Sequence, residues 1–213
     1  MSNGAESSSR QVLLVRHGET EDNVRGRFLG RGDPPLNGRG RCQARQLAPV
    51  LASFAPEVLV TSPARRAAET LVEAAGGHHP VLDDAFREVD FGRWEGRTRD
   101  EVAALDPSDH ERFASGAVSG FPGGDRVADI ADRAGGALDR YPGDRLVIVT
   151  HATTIRILVA SLLGIPVEHY RLRLARPGNG SWSRLEHAAG GWRLVAYGVV
   201  PGTGRDAGEG GEP

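Results

Sequence analysis

The sequence predicts an α/β fold, a three-layer α/β/α sandwich with a mostly parallel sheet and an antiparallel edge strand. Three short, nearly continuous apolar runs are typical of strands buried on both faces: residues 12–15, 58–61 and 146–150. Segments with the apolar spacing of amphipathic helices separate these runs along the chain. Residues 182–185 and 192–197 alternate apolar and polar side chains around a glycine-containing turn, which predicts an antiparallel hairpin at the sheet edge.

Capping residues mark three of the expected helix starts: Asn37, Ser62 with Pro63 after it, and Thr98 with Glu101. We expect Pro49 to bend the first of these helices. A stripe of apolar residues within 127–138 and an apolar run over 155–163 predict two more helices. The last of them is expected to end at Gly164, with Pro166 just beyond it.

Composition limits the chemistry available to the chain. Its 213 residues, 39% of them hydrophobic, suffice for one domain, expected over 11–200 between disordered tails at 1–10 and 201–213. All 26 basic residues are arginine, so Schiff-base and phosphate-loop lysines are excluded. Cys42 is the only cysteine, which excludes a cysteine-based zinc site. A net charge of -2 does not indicate a nucleic-acid partner.

The hydropathy of the sequence bears on the cellular localisation of the protein. No apolar stretch approaches the length of a membrane span, and the first ten residues lack the apolar segment of a signal peptide. A cytoplasmic protein with no membrane partner is therefore expected. The sequence leaves the oligomeric state open, a homodimer included.

Polar residues follow three of the predicted strands at the points where they end. Arg16 and His17 end the first strand. Arg66 lies shortly after the second strand, and His151 directly follows residues 146–150. The carboxyl ends of parallel strands meet at one edge of a sheet, where α/β proteins bind ligands. Two imidazoles and two guanidinium groups there would form a phosphate pocket without a metal. The alternative is a set of strand ends whose polar side chains simply reach water.

Attack of an imidazole on a phosphate ester also needs a proton donor for the leaving oxygen. Glu88 is the best candidate, because its neighbours Phe86, Val89 and Phe91 are apolar. We expect an apolar environment to keep the Glu88 carboxyl protonated.

Four separated blocks of sequence resemble the histidine phosphatase superfamily, also called the phosphoglycerate mutase-like family. The blocks are Leu14-Val15-Arg16-His17-Gly18-Glu19-Thr20 with Asn23; Ser62-Pro63 with Arg66-Ala67 and Thr70; Arg87-Glu88 with Phe91-Gly92 and Trp94-Glu95-Gly96; and Val149-Thr150-His151 with Ile155-Arg156. They occur in the order found in the family, and the resemblance covers residues 11–198.

The resemblance implies a role for each matching residue. His17 would be the nucleophile that becomes phosphohistidine. Glu88 would protonate the leaving group and then activate water. The groups that bind the phosphoryl group would be Arg16, Asn23, Arg66, His151 and Ala152, the last through its backbone N–H.

The chain departs from the family's pattern at two places. Ala152-Thr153 replaces the usual Gly-Gly after the second histidine, which narrows the pocket. Asp125-Arg126 replaces the usual Glu-Ser in a segment that tends to cover the substrate. The candidate substrate-binding residues are Phe28, Arg31, Asp125 and Arg126.

Two clusters outside these blocks have less specific explanations. Arg171, Arg173 and Arg176 are expected to form a solvated face, with contact to a charged substrate tail as the alternative. His78-His79 suggests a metal ligand pair, but a loop pair without a carboxylate partner is expected to be exposed.

The resemblance implies a metal-independent phosphatase with no cofactor, acting on a small phosphorylated metabolite. The substrate classes in the family are sugar phosphates, phosphoglycerate-type compounds, nucleotides and a ribazole phosphate. A cofactor-dependent phosphoglycerate mutase is the first alternative. Family mutases carry a longer insertion, rich in Arg, Tyr and Pro, where this chain has the short segment 98–144. The second alternative is a non-catalytic phosphate-binding protein, which predicts loss of catalytic residues, and none is lost.

Overall fold

The computed structural model describes residues 10–76 and 80–202, which form a six-stranded sheet with helices on both faces. The strands are β1 (Arg10–Arg16), β2 (Val58–Thr61), β3 (Val81–Leu82), β4 (Arg145–Thr150), β5 (Trp182–Ala188) and β6 (Gly191–Val199). Their order across the sheet is β3-β2-β4-β1-β5-β6. Strands β3, β2, β4 and β1 pair in parallel, and β5 pairs antiparallel with both β1 and β6. The predicted fold class is confirmed, with a two-stranded hairpin at the antiparallel edge.

The helices of the described residues connect these strands. They are α1 (Glu21–Val24), α2 (Gly38–Gln46), α3 (Ala48–Phe54), α4 (Arg65–Ala75), α5 (Arg99–Leu105), α6 (Pro107–Ser115), α7 (Val127–Leu138), α8 (Ala152–Leu162) and α9 (Tyr170–Arg173). Short 3-10 turns occur at Asp84–Phe86, Gly92–Trp94 and Val167–His169.

Alternating side chains of the central strands build two separate cores, one on each face of the sheet. In β1, Val12 and Leu14 belong to one core, and Leu13 and Val15 belong to the other. Apolar residues of α7 and α8 fill the first core, and residues of α3 and α4 fill the second. Successive side chains of a strand point to opposite faces of the sheet, and those of β1 are apolar on both faces. Helices must therefore cover both faces, which gives the three layers helix, sheet and helix.

Capping explains where several helices begin. The Asn37 side chain accepts a hydrogen bond from Gly40 N at 2.8 Å, which caps α2 as predicted. Pro49 lies in the first turn of α3, and the predicted bend is a break between α2 and α3 at Leu47. The predicted capping box of Thr98 and Glu101 starts α5.

Three boundaries differ from the prediction. Ser62 does not cap α4, which begins at Arg65; the Ser62 hydroxyl instead lies 2.8 Å from His151 Nε2. Strand β1 begins at Arg10 because that residue pairs with His187 of β5. Strand β3 was not predicted, because two residues are too few to show an alternating pattern. Both of its side chains are half or more exposed.

Of the predicted tails at residues 1–10 and 201–213, residues 1–9 and 203–213 lie outside the described residues, as does the pair His78-His79. Arg10 is not part of a tail, because it belongs to β1, and residues 201–202 form a turn. Within the described part of the chain, the search for membrane spans found no helix with the necessary length and hydropathy.

We predict that Leu71→Ala lowers the free energy of unfolding by about 3 kcal/mol, because Leu71 is fully buried against β1 and β4 in the second core. The adjacent Val72 is 49% exposed on the same helix, so Val72→Ala should change that energy by less than about 0.5 kcal/mol. Urea denaturation of both variants measures the difference. Equal losses would contradict the described orientation of α4.

Candidate active site

The parallel pairing of β1 with β4 brings two histidines together. Arg16 and Thr150 are register partners, so the residues that follow them, His17 and His151, leave the sheet side by side. Their ring centroids lie 5.1 Å apart in an edge-to-face arrangement. Backbone N–H of His17 also donates to Thr150 O at 3.0 Å. Both imidazoles are buried, at 4% and 0% exposure.

A short hydrogen bond selects the tautomer of His17. Its Nδ1 lies 2.7 Å from the carbonyl oxygen of Gly18. A carbonyl can only accept, so Nδ1 carries the proton and Nε2 keeps its lone pair. Packing requires glycine at position 18, because a Cβ there would lie 2.4 Å from Gly40 O. The strand end therefore presents a fixed, neutral imidazole with a free nucleophilic nitrogen.

The surroundings of both histidines favour the neutral form. Burial lowers the pKa of His17 well below its usual value, and the positive charges of Arg66 and Arg16 lower it further. Burial, Arg66 and the neighbouring His17 lower the pKa of His151 in the same way. In this site the arginines carry the positive charge, and the neutral imidazoles keep the lone pair that a nucleophile needs.

Two buried arginines carry that charge, and backbone carbonyls hold both. Arg16 Nη1 donates to Pro177 O at 2.7 Å, and Arg66 donates to Gly32 O at 2.6 Å and Gly30 O at 3.0 Å. The Nε atoms of both arginines are buried without a partner in the described structure. Burial lowers the pKa of Arg16 to about 9, which leaves it charged at neutral pH. Each guanidinium thus keeps donors for an anion.

Asn23 contributes an amide donor to the site. Its Oδ1 accepts from Thr20 N at 3.2 Å and from Asn179 Nδ2 at 2.9 Å. With the oxygen engaged, the NH₂ group is the part of Asn23 that can serve a ligand. Asn179 Nδ2 also donates to His17 O at 3.1 Å and Gly18 O at 3.2 Å, so it clamps the nucleophile's loop to Asn23.

Glu88 lies against the start of α8 and is 6% exposed. Its carboxylate oxygens accept from the backbone N–H groups of Val89, Thr153 and Thr154 at 3.0, 3.2 and 3.1 Å. The hydroxyl of Thr154 lies 3.0 Å away as well. The expected apolar environment is wrong for these oxygens, because the first turn of a helix offers unpaired N–H donors. Ala152, the first residue of α8, lines the same cleft, and its N–H is not among the donors to Glu88.

These groups surround an open cleft with about 640 Å³ of empty space, part of it open to solvent. We call it the His17 cleft. Of the predicted site residues, those lining it are Arg16, His17, Asn23, Phe28, Glu88 and Ala152. Arg66 and His151 are fully buried beside it.

Three predicted substrate-binding residues do not line the His17 cleft. Arg31 instead lies 3.5 Å from the carboxylate of Asp90. Asp125 accepts from Asp90 N at 3.1 Å, and Arg126 lines a separate groove beside α6. A backbone bridge between Gly120 and Arg126 closes this segment on itself, and Asp125 N donates to Asp90 O at 3.0 Å, which holds the segment against the Asp90 loop.

Residues that the sequence reasoning did not name as cleft residues line its outer part: Arg27, Arg99, Phe113, Arg156 and Tyr170. The basic run near the end of the chain was expected on a solvated face, with substrate contact as the alternative. Arg171 and Arg176 line the cleft, as in the alternative, although Arg176 is also exposed, and Arg173 is exposed and outside the cleft. Among the described side chains that line the cleft, Glu88 is the only carboxylate.

Comparison with known proteins identifies the family. The sequence profile of the histidine phosphatase superfamily (branch 1) matches residues 12–200, so the chain belongs to this superfamily. A bifunctional protein of Mycobacterium tuberculosis is 37% identical over 163 residues, which cover 73% of this chain and 45% of that protein. The chain thus spans less than half the length of this relative. A probable phosphoglycerate mutase of Cronobacter sakazakii is 32% identical over 203 residues, 92% of this chain and 93% of that protein.

A solved structure shows the same fold at similar identity. It is a mycobacterial glucosyl-3-phosphoglycerate phosphatase in complex with VO3, with a TM-score of 0.80 and 31% identity. The match covers 90% of this chain and 99% of that structure. The family resemblance derived from the four sequence blocks is therefore confirmed.

We predict that protein stability falls with pH below about 6.5, partly through His17. Its pKa is lowered in the folded protein, so only the unfolded chain gains a proton in that range. His17→Asn, which keeps an N–H donor for Gly18 O, should reduce the loss between pH 6.5 and 5 by about 1–2 kcal/mol. Urea denaturation across this pH range measures it. The control is His187→Asn, which alters an exposed histidine of the hairpin. An unchanged pH dependence in His17→Asn would refute the neutral buried imidazole.

Proposed function

We propose that the chain is a metal-independent phosphatase that hydrolyses a small phosphomonoester through a phosphohistidine on His17. The observation that carries the proposal is the contact between His17 Nδ1 and Gly18 O, which leaves Nε2 free beside Arg16 and Arg66. A fixed nucleophile next to permanent cations suits attack on a phosphate dianion. Membership of the histidine phosphatase superfamily supports this chemistry.

In the first step, His17 Nε2 attacks phosphorus as the ester P–O bond breaks. The charge on the phosphoryl oxygens is spread over donors of Arg16, Arg66 and Asn23. Protonated Glu88 gives its proton to the leaving oxygen, which departs as an alcohol. The phosphoryl group is then bound to His17.

In the second step, a water molecule attacks the phosphohistidine, and the P–N bond breaks. Glu88, now a carboxylate, takes the proton from that water and is ready for another cycle. The Thr154 hydroxyl can bind Glu88 in both protonation states, because its oxygen lies 2.9 Å from Arg87 O and 3.0 Å from Glu88 Oε1. It donates to the carboxylate in one state. In the other state it donates to Arg87 O, and its oxygen accepts from the protonated carboxyl.

A phosphoglycerate mutase is the alternative that a named relative favours. A mutase must keep the phosphohistidine from water while the substrate reorients. Segment 98–144 lacks the long insertion of family mutases, and the His17 cleft is partly open to solvent. Both features favour hydrolysis. A phosphate-binding protein without catalysis would not need the oriented His17 or the donor set around Glu88.

We predict that Glu88→Gln impairs hydrolysis of alkyl phosphates by about 10²–10⁴-fold, because an alkoxide leaves poorly without a proton. Loss with p-nitrophenyl phosphate should be at least about tenfold smaller, since p-nitrophenolate needs less protonation. Steady-state kcat/KM for both esters measures this difference, because it reports the first step only, whereas kcat also contains the second step that both esters share. The matched control is Glu111→Gln, an exposed carboxylate of α6 that should leave both rates unchanged. Equal losses for the two esters would assign the acid to another residue.

We predict phosphate release from at least one ester in a panel of phosphomonoesters, and loss of that release in His17→Ala. His187→Ala should retain it, because that histidine is exposed on the β5–β6 hairpin. Isomerisation of 3-phosphoglycerate is followed in parallel, and the assay is repeated after EDTA treatment.

Each result of the panel discriminates. Isomerisation without net phosphate release would make the chain a mutase. Loss of activity with EDTA would refute a metal-independent reaction. Hydrolysis that persists in His17→Ala would refute the phosphohistidine.

A further inference from the structure

The outer part of the His17 cleft carries more positive charge than one phosphate group needs. Arg99, Arg171 and Arg176 line it beyond the catalytic residues. None of these three makes an ion pair with a carboxylate of the described residues. Ion pairs are common elsewhere on this surface, for example Arg45 with Glu73 and Arg65 with Glu69. The absence of acidic partners is thus a property of this part of the surface.

Aromatic rings, not carboxylates, hold two of these cations. The guanidinium carbon of Arg171 lies 3.6 Å from the centroid of Phe113, and that of Arg99 lies 5.8 Å from the same centroid. Stacking on a ring orients a guanidinium but does not neutralise its charge or use its in-plane N–H donors. Arg156 fixes the helix beneath, since it donates to the carbonyls of Arg171 and Leu174. The arrangement keeps donors in place for an acceptor.

One N–H donor of Arg171 is buried from solvent. The Nε atom of Arg171 is buried and has no hydrogen-bond partner among the described residues. Burial lowers the pKa of Arg171, and the charges of Arg156 and Arg99 add to that effect. A buried donor without a hydrogen-bond partner costs free energy, and so does repulsion between neighbouring cations. An anion placed against Arg99 and Arg171 would accept the hydrogen bond and offset the repulsion.

The outer cations and the phosphate pocket belong to one cleft, because Arg16 and His17 line it together with Arg99, Arg171 and Arg176. In keeping with this placement, the charge of Arg176 adds to burial in lowering the pKa of Arg16 and His17. One molecule with two anionic groups can therefore contact both parts of this positive lining.

We propose that Arg99 and Arg171, stacked on Phe113, bind a second anionic group on the same substrate molecule whose phosphomonoester reacts at His17. The second group is a carboxylate or a second phosphate, since both accept the paired N–H donors of a guanidinium. This inference rests on the proposed function. It makes Arg99 and Arg171 specificity-determining residues and not catalytic ones.

The test compares two pairs of esters that differ in the second group. The carboxylate pair is 3-phosphoglycerate with glycerol 3-phosphate. The phosphate pair is 1,3-propanediol bisphosphate with 3-hydroxypropyl phosphate. In the wild-type protein, kcat/KM should favour the ester with the second anion by about tenfold or more in at least one pair. The pair that shows the preference identifies the second group.

Arg171→Gln and Arg99→Gln should each reduce that preference at least about fivefold, because each removes a charged donor from a different helix. The matched control is Arg173→Gln, an exposed arginine of α9 that lies outside the cleft and should keep the preference. Thermal melting checks that every variant is folded. Raising the salt concentration should weaken the wild-type preference.

Calorimetric binding of the four esters to His17→Ala, with and without Arg171→Gln, separates the two proposals. If the wild-type protein releases no phosphate from any ester of the panel or of the two pairs but the variant binds selectively, the proposed function fails and the second site stands. If hydrolysis occurs without preference in either pair, the second site is refuted and the phosphatase stands. A preference that survives in both Arg99→Gln and Arg171→Gln also refutes the assignment.

Discussion

The parallel pairing of β1 with β4 is the constraint on which the rest of the site depends. Residues in register leave the sheet together, so Arg16 opposite Thr150 forces His17 and His151 into contact. A shift of one residue in this pairing would turn one of the histidines to the other face of the sheet. In this register, apolar side chains of β1 and β4 fill both cores. The strand pairing thus sets the geometry of the chemistry.

The site combines charges that would repel one another in the absence of a ligand. Two arginines and two histidines are buried close together, and the histidines avoid a further cost by staying neutral. Three backbone carbonyls from two loops satisfy part of each guanidinium without cancelling its charge. A buried charge left partly unpaired is expensive, and a bound phosphoryl group would offset that expense. Stability and affinity for anions are therefore coupled in this fold.

The His17 cleft has an inner part and an outer part with different construction. Strand ends and the start of α8 build the inner part, and their positions follow from the sheet. Helices α5 and α9 and the loop after α9 supply the outer cations Arg99, Arg171 and Arg176, and α6 supplies Phe113, over which Arg99 and Arg171 lie. In the proposed function, the reaction type depends on the sheet, whereas the choice of substrate depends on segments packed around this one aromatic ring.

Local patterns in the sequence determined five of the six strands of the described residues, the starts of α2, α5 and α7, and the inner site residues Arg16, His17, Arg66, Glu88 and His151. Those features depend on short-range rules: alternation, capping, and the arrival of parallel strand ends at one edge. The same rules misassigned Ser62, because its hydroxyl contacts His151, which is distant in sequence. The family resemblance, and not these rules, placed Asp125 and Arg126 near the substrate, and neither residue lines the His17 cleft.

Tertiary structure alone decided what surrounds Glu88 and what lines the outer cleft. Donors of Thr153 and Thr154 reach Glu88 only because α8 begins beside it, some sixty-five residues further along the chain. Arg99 and Arg171 come from separate helices and meet only through their packing on Phe113. A one-dimensional pattern records the types of residues and their local periodicity. Contacts between distant segments are set by how the layers pack, which the sequence encodes only through the whole fold.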